Sequence, residues 1–110
     1  MKTSDKGITE KVWTAQVIEV AHMFGYLVAH FRPAINRRGH WQTPVQADGA
    51  GFPDLVLCKP GRNVKFVELK TERGKLSPAQ ERWLNDLRLA GQEVYVWRPS
   101  DWNKAVEVLR

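Results

Sequence analysis

Two hydrophobic periods divide the chain into helices and strands. Apolar positions in residues 8–24 recur every three to four residues, which predicts a helix that Thr9 caps and Gly25 ends. Alternation at every second position predicts strands in the segments that follow. The predicted elements are a helix over 8–24, a strand over 26–31, paired strands over 52–58 and 64–70, a helix from Ser77 to the stop at Gly91, a strand over 93–97 and a helix over 102–109. A strand–helix–strand crossover makes one parallel pair, so we expect an α/β domain with a mixed four-stranded sheet.

The paired strands carry polar residues where the alternation predicts core. Glu68 and Lys70 share one face of the second strand, and Asp54 and Cys58 share one face of the first. The turn over 59–63 folds one strand back on the other and brings Asp54 near Glu68. Cys58 is interpreted as a small buried hydrophobe. Burying a carboxylate and an ammonium is costly unless they are paired or bind something, so these positions need a reason.

Two carboxylates at the end of a hairpin form a hard-oxygen site suited to Mg²⁺ or Mn²⁺. A lysine two residues beyond the second carboxylate can orient or deprotonate a water, which is the chemistry of phosphodiester hydrolysis. In a simpler interpretation, Glu68 and Lys70 form a cross-strand ion pair on a solvent face, and Asp54 is a turn residue after Pro53. Patterns this short are frequent, so the residues alone leave both interpretations open.

The motifs around these residues bring the chain close to a known family. They are GFPDL, VELKT, GKLSPAQERW and GQEVYVW, and as a set they closely resemble the VRR-NUC family of the PD-(D/E)xK nuclease superfamily. The resemblance runs from about Thr9 to Leu109 and is densest from Gly51 to Trp97. It implies a restriction-endonuclease-like fold and a metal-dependent endonuclease for structured or branched DNA, such as junctions and flaps. A chain of this size is similar to the stand-alone phage and bacterial members, and the resemblance allows a homodimer.

The resemblance also implies roles for individual residues. Asp54, Glu68 and the carbonyl of Leu69 match the ligands of Mg²⁺ or Mn²⁺, and Lys70 matches the residue that positions or activates the attacking water. Gln80 matches a family glutamine near the active site. The alternative for Gln80 is structural, because Ser77 at the N-cap and Gln80 three residues later form a capping box.

Glu10 matches an acidic residue that the superfamily places on its first helix as an additional ligand. On a helical wheel Glu10 falls on the apolar stripe with Trp13 and Val17, whereas Glu19 falls on the opposite side. In the alternative interpretation, Glu10 only complements the helix dipole in the first turn.

Residues 32–50 form the longest segment without a clear period, and loops of this length in compact domains are usually functional or disordered. Arginines beside an aromatic residue can hold phosphates and stack on an unpaired base, so we expect substrate contacts here. A solvated flexible insertion is the alternative. The candidate DNA-binding residues are Arg32, Arg37, Arg38, His40 and Trp41, together with Arg73 and Lys75 on the turn after Lys70. His30 and His40 can also act as acid, base or phosphate donor, but lone histidines more often do none of these.

Composition narrows the class of protein without identifying it. The 110 residues suit one domain, with residues 1–7 expected to be loose, and 17 Lys and Arg against 12 Asp and Glu give a net charge of +5. This charge suggests a polyanionic partner. The lone cysteine, the lack of an apolar run of membrane length and the polar start MKTSDKG together predict a cytoplasmic protein.

Two further functions remain open at this stage. A nucleic-acid-binding module without catalysis would keep the fold and the basic surface, although intact Asp54, Glu68 and Lys70 argue against it. The chain also fits a nuclease subunit of a larger defence or replication complex.

Overall fold

The computed structural model describes residues 7–31, 34–35, 41–42 and 46–110. Its elements are α1 (Glu10–Met23), β1 (Leu27–His30), β2 (Ala34–Ile35), β3 (Trp41–Gln42), β4 (Leu55–Cys58), β5 (Lys65–Leu69), α2 (Pro78–Leu89), β6 (Glu93–Trp97), a 3₁₀ turn (Pro99–Asp101) and α3 (Trp102–Leu109). Residues 1–7 were expected to be loose, and residues 1–6 of this segment lie outside the described residues.

The main sheet has the order β1-β4-β5-β6. The β1–β4 and β4–β5 pairs are antiparallel, and β5 and β6, which α2 connects, are parallel. This confirms the predicted mixed four-stranded α/β architecture. The segment over 32–50 differs from its prediction, since β2 and β3 pair there as a separate antiparallel ribbon. Strands of two residues are too short to show a hydrophobic period.

The core lies between the sheet and helices α1 and α3. Its largest side chain belongs to Trp13, which is fully buried and whose indole N–H donates to the carbonyl of Trp97 at 3.0 Å. Each large apolar side chain buried here stabilises the fold by about 1.5–3 kcal/mol. The core residues are Trp13, Val17, Val20, Ala21, Tyr26, Leu55, Leu57, Val67, Leu69, Trp97, Ala105 and Leu109. Strands β4 and β5, which carry the candidate site at their shared end, are therefore firmly held.

The opposite face of the sheet is covered by α2 through an aromatic cluster. The ring of Phe52 makes edge contacts with Phe31, Phe66 and Trp83, with ring centroids 5.6, 6.1 and 5.0 Å apart. Gly51 precedes this cluster with φ 86°, and a Cβ atom there would lie 2.6 Å from the carbonyl carbon of Ala79. Only glycine permits both that backbone and that approach, so the start of α2 docks directly on the segment leading to Asp54.

Local capping signals set the helix ends as the sequence predicted. The Thr9 hydroxyl accepts from the N–H of Val12 at 3.1 Å at the start of α1. At the start of α2, Ser77 and Gln80 form the predicted capping box. Both β6 and α3 have the predicted bounds.

The prediction for Cys58 was wrong, because this residue is exposed. It shares a strand face with Val56, and that face is only partly covered even at Val56. Its partner in β1 is Leu27, which is itself 75% exposed. The alternation of residues in β4 correctly placed Cys58 on the same face as Val56. It does not show how far along the strand the helix α2 covers that face.

Candidate active site

Asp54 and Glu68 meet at one end of the β4–β5 pair. Leu55 faces Val67 in the antiparallel register, and this places Asp54, one residue before β4, opposite Glu68. The Asp54 Oδ2 atom accepts from the backbone N–H of Leu69 at 2.9 Å, which fixes that carboxylate against β5. The predicted proximity of the two carboxyl groups is therefore present in the fold.

Glu68 is buried, with 1% of its surface exposed, so it does not lie on a solvent face as the ion-pair interpretation required. Its Oε2 atom accepts from the Gln80 side-chain amide at 3.1 Å, and its buried Oε1 atom has no N–H or hydroxyl donor. The carboxyl group lies within hydrogen-bonding reach of the Asp54 carboxyl, so the two acids can share a proton. Burial and the negative charge of Asp54 raise the pKa of Glu68 to about 8. Burial also raises the pKa of Asp54, against the opposing effect of the Leu69 N–H.

Lys70 follows β5 directly and lies close enough to all three candidate acids to affect them. Its positive charge lowers the pKa values of Asp54, Glu68 and Glu10, partly offsetting the desolvation of these groups. The backbone N–H of Lys70 donates to the carbonyl of Trp97 at 3.1 Å, so the pairing of β5 with β6 extends to this residue. The structure thus places a cation beside the carboxylate pair.

Glu10 begins α1 and lies in line with the stripe that buries Trp13 and Val17. It keeps access to solvent, yet partial desolvation and the charge of Asp54 raise its pKa. Glu19 is exposed, as the wheel predicted. Within the described ranges, no group of three or more His, Cys, Asp or Glu side chains is arranged to hold a metal ion. Glu10 is therefore coupled electrostatically to Asp54 and Lys70, and its role as an additional metal ligand stays a prediction.

The candidate DNA-binding residues divide into two sets. Arg73 and Lys75 are exposed in the segment that follows Lys70. Trp41 lies in β3, and only its strand placement is described. Arg32, Arg37, Arg38 and His40 lie outside the described residues.

Two residues near the site have contacts that the sequence did not indicate. His30, for which the sequence left a role as acid, base or phosphate donor open, ends β1 opposite Leu55, and its charge lowers the pKa of Asp54. Arg98 contacts the turn after Lys70 from 24 to 27 residues further along the chain. No local pattern indicates either contact, because both depend on which strands become neighbours.

A cavity of ≈ 570 Å³ lies on the flank of α2, between Trp83 and the segment around Asp48. The indole N–H of Trp83 donates to the carbonyl of Asp48 at 2.8 Å and closes one side of this space. None of the candidate catalytic residues lines it. The carboxylate pair instead lies at the end of the strands.

The fold and the site together define the class of protein: an α/β domain of the restriction-endonuclease-like type, with two carboxyl groups and a lysine where β4 and β5 meet α2. A family model described as the VRR-NUC domain matches residues 31–101, and the chain belongs to this family. A solved structure titled "VRR_NUC domain" is 25% identical, with a TM-score of 0.59 over 91% of this chain and 97% of that chain. No curated protein matches the sequence.

Membership confirms the resemblance carried by the four motifs and makes this a nuclease-type domain. Among the helices of the described ranges, none is long and apolar enough to cross a membrane.

Proposed function

We propose that the chain is a Mg²⁺- or Mn²⁺-dependent endonuclease that hydrolyses phosphodiester bonds in DNA. The observation that carries this proposal is the Glu68 carboxyl group, buried within hydrogen-bonding reach of the Asp54 carboxyl and without an N–H or hydroxyl donor at its Oε1 atom. A buried acceptor without a donor, next to a second acid, is costly unless a proton or a cation occupies the space. Buried pairs of this kind with raised pKa values are typical of functional sites.

The residues present fit a hard divalent cation. Asp54 and Glu68 would supply carboxylate oxygens, and the backbone carbonyl of Leu69, the residue after Glu68, would supply a further oxygen. When bound, the ion would polarise the scissile phosphate and offset negative charge on the pentacoordinate transition state. Glu10 supports the site from α1 at longer range.

The side chains around the pair have separate tasks in this mechanism. Gln80 holds one oxygen of Glu68 and leaves the other free to bind. Lys70 orients the attacking water and stabilises negative charge on its oxygen as the bond to phosphorus forms. By analogy with the superfamily, the products carry a 3′ hydroxyl and a 5′ phosphate.

The finer substrate assignment is structured or branched DNA, such as junctions and flaps, and it rests on the family resemblance. We also propose that the active form is a homodimer, because one small domain with one site cuts two strands symmetrically only as a pair. Sedimentation with and without branched DNA measures this assembly.

Cleavage of labelled linear, nicked, flapped and four-way DNA with Mg²⁺, Mn²⁺ or EDTA tests the proposal. Asp54→Asn and Glu68→Gln should each lower the rate by roughly two to three orders of magnitude, the range for removing one key electrostatic group from a site. Lys70→Ala should lose cleavage and still bind Mn²⁺. The matched controls are Glu81→Gln and Lys104→Ala, which change exposed residues of α2 and α3.

Wild-type rates in the Asp54 or Glu68 variant would show that the site is misassigned. Metal-independent DNA binding without cleavage by the wild-type protein would favour the non-catalytic binding module instead.

A further inference from the structure

The turn after Lys70 is held by one side chain from the far end of the chain. Arg98 Nη1 donates to the carbonyls of Thr71 at 2.6 Å and Gly74 at 2.7 Å, and lies 3.3 Å from the carbonyl of Glu72. Two hydrogens on Nη1 serve the two short bonds, and the third carbonyl shares them. Hydrogen bonds from a charged donor are stronger than those between neutral groups, so this is a firm attachment.

Arg98 is itself fixed by the turn that follows β6. Its backbone N–H donates to Asp101 Oδ2 at 2.9 Å, and the N–H of Asp101 donates back to the carbonyl of Arg98 at 2.7 Å. The Glu72 carboxylate in turn accepts from the backbone N–H of Ser100 at 3.1 Å and from its hydroxyl. Contacts in both directions therefore join residues 71–74 to residues 98–101.

The side chain of Lys70 lies against the turn that Arg98 holds. A Cβ atom added at Gly74 would lie 3.4 Å from Cδ of Lys70 and 3.0 Å from Oγ1 of Thr71. The N–H of Gly74 donates to the carbonyl of Thr71 at 3.2 Å and closes the turn. The path of the Lys70 side chain is thus limited by a backbone whose carbonyls Arg98 binds.

We propose that Arg98 is a positioning residue, which holds the 71–74 turn so that the Lys70 ammonium stays at the Asp54–Glu68 pair. This inference rests on the proposed function, because it assigns Arg98 a part in the same site. Arg98 has no contact with the two carboxylates themselves, and these are held by β4 and β5. Loss of Arg98 should therefore affect catalysis while leaving metal binding intact.

The test compares Arg98→Ala, Arg98→Lys and the control Arg88→Ala, which removes an exposed arginine from the last turn of α2. Hydrogen exchange of the turn, binding of Mn²⁺ alone, and single-turnover cleavage of flapped DNA at saturating protein are measured well below the melting temperature. Arg98→Ala should speed exchange over residues 70–75 and lower the single-turnover rate about 10- to 100-fold, as for other groups that orient a catalytic shell. The Mn²⁺ affinity of this variant should stay within about twofold of the wild-type value, a much smaller change than the loss in cleavage rate.

Arg98→Lys should restore part of the rate, because an ammonium can donate to some of the same carbonyls, and Arg88→Ala should change nothing. The inference is overturned if exchange over 70–75 is unchanged, or if exchange rises while the cleavage rate does not fall. It is also overturned if Mn²⁺ affinity falls with the rate, which indicates a general structural role. An inactive wild-type protein would instead refute the proposed function, and the exchange measurement would still decide whether Arg98 holds the turn.

Discussion

Glu68 stands out at the scale of single residues because it destabilises the fold that contains it. Its carboxyl group is almost fully buried and faces a second acid, with no N–H or hydroxyl donor at one of its oxygens. An apolar residue of similar size beside Phe66 would satisfy the packing without this cost. Groups that violate local rules in this way are expected at functional sites, where stability is given up for a prepared charge arrangement.

The raised pKa of Glu68 makes the stability of the metal-free protein depend on pH. Its pKa rises from 4.5 to about 8 on folding, so the folded state binds a proton that the unfolded state has released across this window. The free energy of unfolding in EDTA should therefore fall as pH rises from about 4.5 to 8, by on the order of a few kcal/mol. The raised pKa values of Asp54 and Glu10 act in the same direction. Urea unfolding over this pH range measures the effect.

Glu68→Gln supplies the control for this pH dependence, because the amide keeps the shape and has no charge to bury. The variant should be more stable than wild type near pH 8, and its stability should vary less with pH. An exposed substitution, Glu81→Gln, should leave the wild-type profile in place. A wild-type protein whose stability rises with pH over this window would contradict the predicted protonation of Glu68.

Glu10 and Glu19 offer an internal comparison on one helix. Both side chains are exposed, but Glu10 is coupled electrostatically to Asp54 and Lys70, whereas Glu19 lies on the opposite side of α1. We expect Glu10→Gln to slow metal-dependent cleavage and Glu19→Gln to leave the rate unchanged. Initial rates at several Mn²⁺ concentrations measure both. Equal losses in the two variants, or a loss in Glu19→Gln alone, would show that Glu10 is not the acid that α1 contributes.

At the scale of elements, α2 connects folding and chemistry through a single residue. The Gln80 Oε1 atom accepts from the backbone N–H of Ser77 at 2.9 Å, and its Nε2 atom donates to Glu68 at 3.1 Å. Gln80 therefore closes the capping box and contacts Glu68 at the same time, so the two roles that the sequence suggested are compatible. The helix cap orients the amide, and the oriented amide holds Glu68.

Substitutions at the two ends of the capping box separate these roles. Ser77→Ala removes the cap alone and should cost about 1 kcal/mol of stability, with little change in the cleavage rate of the folded protein. Gln80→Ala should cost a similar amount and also lower the rate, because Glu68 loses its donor. Unfolding curves and cleavage rates for both variants test this difference. Equal rates in the two variants would mean that Gln80 acts only as part of the cap.

Local signals predicted most elements, and contacts between distant residues account for what was missed. The capping box at Ser77, the strand Glu93–Trp97 and the helix Trp102–Leu109 each follow from residues within one element. The ion pair of buried Lys65 with half-buried Glu93, 2.9 Å apart, depends on the parallel pairing of β5 with β6. Sequence spacing does not reveal such a contact.

The candidate site shows the same division. Asp54 opposite Glu68 was predictable, because a hairpin with a short turn fixes the register of both strands. The effect of His30 on Asp54 and the attachment of Arg98 to the turn after Lys70 require the complete sheet order. The local pattern was thus enough to predict the two carboxylate residues themselves. It was not enough to predict the residues that act on them from other strands and turns.

At the scale of the whole molecule, a nuclease whose active site contains two carboxyl groups must offset the repulsion between these acids and the phosphates of DNA. The net charge of +5 supplies attraction, and Arg73 and Lys75 place two exposed cations next to Lys70. The arginines of the 32–50 segment are the further candidates, on the evidence of their charge and their place in the sequence.

Neutralising Arg37 and Arg38 together should weaken DNA binding and flatten its dependence on salt. The slope of log affinity against log salt should change by up to about two if each arginine contacts one phosphate. The double control Arg88→Gln with Lys104→Gln removes the same charge from exposed positions of α2 and α3, and its slope should change less. Titrations in Ca²⁺ at several salt concentrations measure both variants. Equal slopes for the two would show that only net charge matters.

Trp41 tests whether the same segment also recognises unpaired bases. Stacking of a base on an aromatic ring is worth about 1–3 kcal/mol, so Trp41→Ala should lower affinity for flapped DNA by roughly 5- to 100-fold. Continuous duplex has no free base to stack, and its affinity should change much less. The melting temperature should stay near the wild-type value if Trp41 serves the substrate and not the fold. A large fall in melting temperature would assign Trp41 a structural role, and equal losses on flapped and fully paired DNA would show that it does not recognise unpaired bases.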